Sequence, residues 1–160
     1  MTHRLAKICP LLPFALLLAL APLPAFAEEV KKYNDRGKLI YSKDSDRNET
    51  WYEYDENGNQ YYKHKGDEYW TCSEPFEMVV LTDDGLPLCY RKSPVDGEKL
   101  GDFKNEVLVY VTKRTAEKYE ADGITDYWYL AHSGSEPEKQ GWVFGGSIEF
   151  NGDRPTPPAL

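Results

Sequence analysis

Along this chain, apolar residues come in short runs that alternate with polar ones, and turn signals such as Asn57-Gly58 and Asp83-Asp84-Gly85 separate several of them. That period of two is the mark of half-buried strands, whose successive side chains point to opposite faces. Trp51, Tyr52 and Tyr54 precede Asn57-Gly58, and Tyr61 and Tyr62 follow it, which spells a β-hairpin on a turn that tolerates positive φ. Residues 76–81 read as a strand turned by Asp83-Asp84-Gly85, and 86–90 as a broken second strand. Residues 106–111 are the most regular strand of the chain. Residues 113–122 have helix-friendly composition but hardly any apolar face, so a long, partly turned loop ending at Gly123 is expected there. A last hairpin joins 127–131 to 141–148 through the polar turn 132–140. The expected fold class is all-β.

The N-terminal part repeats. Tyr33-Asn34-Asp35-Arg36-Gly37-Lys38 recurs as Tyr54-Asp55-Glu56-Asn57-Gly58-Asn59, and a repeat signals a unit that buries its face on its neighbours. The second copy resembles the Tyr-Asp-x-x-Gly-Asn core of YD (RHS-type) repeats; the first departs from it at Asn34 and Lys38. The resemblance implies hairpin units that stack, with too few copies here to enclose a cargo. The stretch Tyr127-Trp128-Tyr129-Leu130 with Gly141-Trp142-Val143-Phe144-Gly145-Gly146 resembles the end of a bacterial-type SH3 domain. That resemblance implies a small partly open barrel over about half of the mature chain, and a binding role. The expected division is a leader at 1–27, YD-like hairpins at 28–71, an SH3-like barrel at 72–150, and a Pro-rich, disordered tail at 151–160.

Arg4 and Lys7, the apolar run 11–23 and Ala25-Phe26-Ala27 have the form of a Sec-type signal peptide cleaved after Ala27. The expected location is therefore periplasmic or extracellular, with no membrane span; Pro13, Pro22 and Pro24 interrupt the apolar run. The chain carries a formal charge of −8, and the leader holds only positive charges, so the mature protein is more acidic still. No Lys/Arg patch is visible along the sequence, which speaks against nucleic acid as a partner. Cys72 and Cys89 are the mature cysteines. In an oxidising compartment they are expected to form a disulfide, stabilising by roughly 3 kcal/mol on chain-entropy grounds.

Catalysis is not expected. His64 and His132 are the only mature histidines and lie far apart, and no nucleophile elbow, P-loop or dinucleotide fingerprint occurs. Neither metal nor cofactor is expected: Asp55, Asn57 and Asn59 copy the start of an EF-hand loop, but Gly66 stands where its last acid belongs. The candidate binding residues are Trp128, Leu130, Trp142 and Phe144. Strand alternation turns them away from Tyr129, Ala131, Val143 and Ile148, as an exposed aromatic surface for a protein or cell-envelope ligand of peptidoglycan type. The alternative is a structural or accessory envelope protein whose aromatic face is used up internally and which associates through β-edges.

Overall fold

The computed structural model describes residues 28–151. The expected leader and almost all of the expected tail lie outside the described residues. The elements are β1 (Val30–Tyr33), β2 (Leu39–Lys43), β3 (Glu49–Tyr54), β4 (Gln60–His64), β5 (Trp70–Val80), β6 (Leu88–Arg91), β7 (Lys99–Phe103), β8 (Leu108–Arg114), β9 (Tyr119–Ala121), β10 (Ile124–Asp126), β11 (Trp128–Ser133), β12 (Gln140–Phe144), a 3₁₀ turn (Gly145–Ser147) and β13 (Ile148–Phe150). The described residues contain no α-helix. The protein is all-β.

One antiparallel path runs β1-β2-β3-β4-β5-β8-β11-β12-β6-β7, with β13 returning to pair with β5. The long strand β5 organises it. Its first half pairs with β4 through Tyr61↔Cys72, and its second half pairs with β13 through Val80↔Ile148. The expected boundary at 71/72 thus falls inside a strand, and the N-terminal hairpins continue the same sheet. Exposed Ser73, Glu74 and Pro75 form a bulge between the two halves, where the β5–β8 register shifts. A proline fits there because no ladder N–H is required of it.

The core gathers the inward positions of both halves: Phe76, Met78 and Val80, Val109 and Val111, Ala131, Val143 and Ile148, with Tyr61, Trp70 and Cys72 extending it beneath β4. Burying side chains of this size contributes on the order of 1.5–3 kcal/mol for each Val, Ile, Met or Phe.

The hairpin turns explain the repeat. At Asp55 the carboxylate accepts the Asn59 backbone N–H (2.8 Å), and the Gly58 N–H donates to the Asp55 carbonyl (3.0 Å) with Gly58 at φ 80°. Asn34 reproduces this with Lys38 and Gly37. A third copy sits between them. Asp44 accepts the Asn48 N–H (2.9 Å), and Arg47 stands in the glycine position at φ 68°. The N-terminal segment therefore has three hairpin turns of one kind, each closed by an Asx side chain that mimics backbone pairing.

Two expectations are corrected here. Residues 113–122 are not a loop: β8 runs on to Arg114, and Asp122-Gly123 (φ 51° and 79°) turns the separate β9–β10 hairpin. Two successive positive φ values are what a tight hairpin turn demands, and Asp-Gly supplies them. Cys72 and Cys89 are free thiols rather than a disulfide. Cys72 points into the core from β5, whereas Cys89 sits on β6, with β8, β11 and β12 between them in the sheet. Burial pushes the Cys72 thiol up to about 12, so it stays protonated and inert.

Candidate functional site

The four predicted residues do come together. Trp128 pairs with Phe144 and Leu130 with Trp142 across β11 and β12, so all four share the face opposite Ala131 and Val143. They do not form an exposed surface. Trp128 is 9% and Trp142 6% exposed, and Leu130 and Phe144 are half-buried. The Tyr69 ring lies 4.6 Å from Trp142, and Trp128 packs on Phe144 at 5.7 Å. Thr115 exchanges hydrogen bonds with both the N–H and the carbonyl of Trp128. Ile124, on β10, sits beside Gly146 together with the Phe144 ring. The segment before β5 and the β9–β10 hairpin consume this face, so large apolar rings are covered at home.

An open concavity lies on the other side. A cleft of about 680 Å³ separates the β3–β4 turn from β10, the start of β11 and β13. At its floor is Arg114, 5% exposed, which alternation does not place there. Counting by twos from Val109 and Val111 would turn Lys113 inward. The β8–β11 register shifts at Leu130/Ala131, where the Thr112 hydroxyl donates to the Leu130 carbonyl (3.2 Å), and the next inward side chain becomes Arg114.

The guanidinium lies 4.3 Å from the Tyr127 ring, 4.6 Å from Tyr61 and 5.6 Å from Trp70. Its Nη1 donates to the Thr115 carbonyl (3.1 Å) and its Nη2 to the Glu53 carboxylate. A buried guanidinium needs such partners, because leaving its charge unpaired is costly. Around it the cleft is lined by Asp55, Glu56, Asp126 and Glu149, with Lys118 as the other cation. The Tyr61 hydroxyl donates to Asp55 (3.3 Å). Burial first, and the Asp55 charge second, hold the Tyr61 phenol far above its ordinary pKa; burial and then Asp126 do the same for Tyr129. Both stay neutral donors at any physiological pH. Gly145 makes room for this wall, since a Cβ there would fall 2.6 Å from the Asp126 carboxylate and 2.7 Å from the Tyr129 ring.

Neither of the described histidines belongs to the cleft. His64 pairs with the Thr50 hydroxyl (3.0 Å), and His132 stacks on Tyr110 at 5.5 Å. Among the described residues, no group of three or more His, Cys, Asp or Glu side chains is placed to hold a metal ion. The cleft therefore offers aromatic walls, neutral hydroxyl donors and an excess of carboxylates, which suits recognition of a polar or cationic group. Comparison with family models, curated proteins and solved structures returns no match to this chain.

Proposed function

We propose that this protein is an exported, non-catalytic binding module that contacts a protein or cell-envelope component through the cleft beside the YD-like hairpins. The indole face is not the contact surface in this reading. The observation that carries it is the cleft itself, a concavity with rings, hydroxyls and unequal charge around a buried arginine, on a molecule whose Trp128 and Trp142 are packed away. The SH3-like reading of the C-terminal half is supported by the succession of strands: β13 returns to pair with β5 after a 3₁₀ turn, and the β6–β7 hairpin inserts after the first strand.

A second reading is favoured by the burial of Trp128 and Trp142: an accessory envelope protein that associates with others of its compartment. Its edges argue against association by strand addition. β1 is four residues long with Lys31 and Lys32, and β7 begins at Lys99; short, lysine-bearing edges discourage pairing. Retention on purified peptidoglycan and on envelope proteins, compared between the native protein and Lys118→Ala/Tyr127→Ala, tests the cleft. Loss of retention with an unchanged far-ultraviolet spectrum supports it. Equal retention by both proteins removes the cleft as the contact surface.

A further inference from the structure

The register of the N-terminal hairpins assembles charges that the sequence keeps apart. Lys32, Tyr41, Trp51 and Lys63 are direct partners across β1, β2, β3 and β4, and so form one row on one face. Two residues along the strands, Lys43 and Glu49 pair on that same face, and the Lys65 ammonium also reaches Glu49 (3.3 Å). Four lysines thus stand with Glu49, and with Glu53 at the edge of the group, around an exposed Trp51 and a half-buried Tyr41. This is a basic, aromatic surface on a chain whose formal charge is −8. Lys32 lies over the Tyr41 ring (5.1 Å), and Lys63 reaches only the Glu68 carbonyl (3.5 Å). Neither has a carboxylate partner among the described residues.

Two residues further along in the other direction the sign reverses. Glu53 follows Trp51 on the same face and pairs with Tyr61, where the acidic cleft begins. Glu56 and Glu149 at its rim make no ion pair among the described residues. One side of the molecule therefore runs from basic to acidic along the strand direction. A surface with that polarity is complementary to itself when a second copy is turned half a revolution about an axis lying in the plane of the face, at right angles to the strand direction.

We infer that this face is an isologous dimer contact, in which the lysine row of one copy meets the Glu56/Glu149 rim of the other, twice. The inference goes beyond the ligand reading above and needs no ligand. It also gives Trp51 an apolar centre to cover, inside a charged surround that sets orientation.

The test is sedimentation velocity on the purified protein across concentration and salt. A dimer whose dissociation constant rises roughly tenfold or more between low and high salt is expected, because exposed charges are screened within a Debye length. Lys32→Glu/Lys63→Glu and Glu56→Lys/Glu149→Lys should each be monomeric. Mixed together they should form a one-to-one heterodimer, since one then presents only acid and the other only base; that rescue also shows both variants to be folded. A native protein that remains monomeric up to millimolar concentration overturns the inference. So does a dimer indifferent to both charge reversals, and so does a mixture that stays monomeric. Lys118→Ala/Tyr127→Ala leaves the lysine row and Glu56/Glu149 unchanged, so loss of its retention with dimerisation intact, or the reverse, shows which of the two readings fails.

Discussion

Replacing Arg114 separates the two ways in which a buried guanidinium can hold this fold together. Its side chain is 6% exposed, while that of its partner Glu53 is 50% exposed. A half-exposed carboxylate keeps most of its water, so the ion pair contributes no more than about 1 kcal/mol. The stacking on Tyr127, Tyr61 and Trp70 is desolvated, and such contacts contribute about 0.5–2 kcal/mol each. Removing the side chain also leaves a void in the cleft floor. Arg114→Ala is therefore expected to cost about 3 kcal/mol, against under about 1 kcal/mol for Glu53→Gln. Arg114→Met, which keeps the straight stem without the charge, should fall between them at about 1–2 kcal/mol. Urea unfolding followed by tryptophan fluorescence measures all three, and a midpoint shift at constant slope reports stability. If Glu53→Gln proves as damaging as Arg114→Ala, the ion pair rather than the ring cage anchors the hairpins, and the reasoning is wrong.

Arg47→Gly should stabilise the protein by about 0.5 kcal/mol in the same assay, because Arg47 occupies the φ of 68° that glycine adopts without cost; Gly58→Ala should do the reverse. Trp142→Ala should cost about 3 kcal/mol, as for a core ring, whereas an exposed tryptophan would change stability little. Alkylation at pH 8 followed by peptide mapping should mark half-exposed Cys89 and spare Cys72, whose thiol burial raises to about 12; equal labelling of the folded protein refutes that burial. Hydrogen bonds from the Asn48 side chain, then from the Asn48 and Asp46 backbone N–H groups, hold the Asp44 carboxyl below the ordinary carboxylate range. Its contribution to stability is thus complete above the unfolded-state value and lost as pH falls through the lowered folded one. Titration by NMR should show Asn48→Ala moving Asp44 back up.

What could be read along the chain was whatever depends on neighbours two to four residues apart. The Asn57-Gly58 turn, the strands flanking it and the inward set Ala131, Val143 and Ile148 follow from local conformational preference and alternation, and all are present. The turn at Asp44 carried the same Asp and Asn spacing as the one at Asp55, but Arg47 hid it, since glycine is the usual mark of that φ. Arg114 could not be foreseen, because one bulge at Thr112 reverses the alternation after Val111. The fate of Trp128 and Trp142 was equally hidden. Alternation states which face a ring takes, but what covers that face is decided by Tyr69 and by the β9–β10 hairpin, far away in sequence or read as a loop. The disulfide failed for a related reason: an even cysteine count says nothing about strand order, and β8, β11 and β12 lie between the two thiols.

The same parity that hides a site can also create one. Lysines 32, 43, 63 and 65 are spread along a sequence that is acidic as a whole. Antiparallel pairing puts residues from four strands into one row, and only every second residue joins it. Glu49, the acid in that row, is shared between Lys43 and Lys65. A net charge therefore describes the whole molecule poorly as a guide to its partners. The quantity that governs an encounter is the charge of one face, and here that face changes sign between Trp51 and Glu56 within a single hairpin.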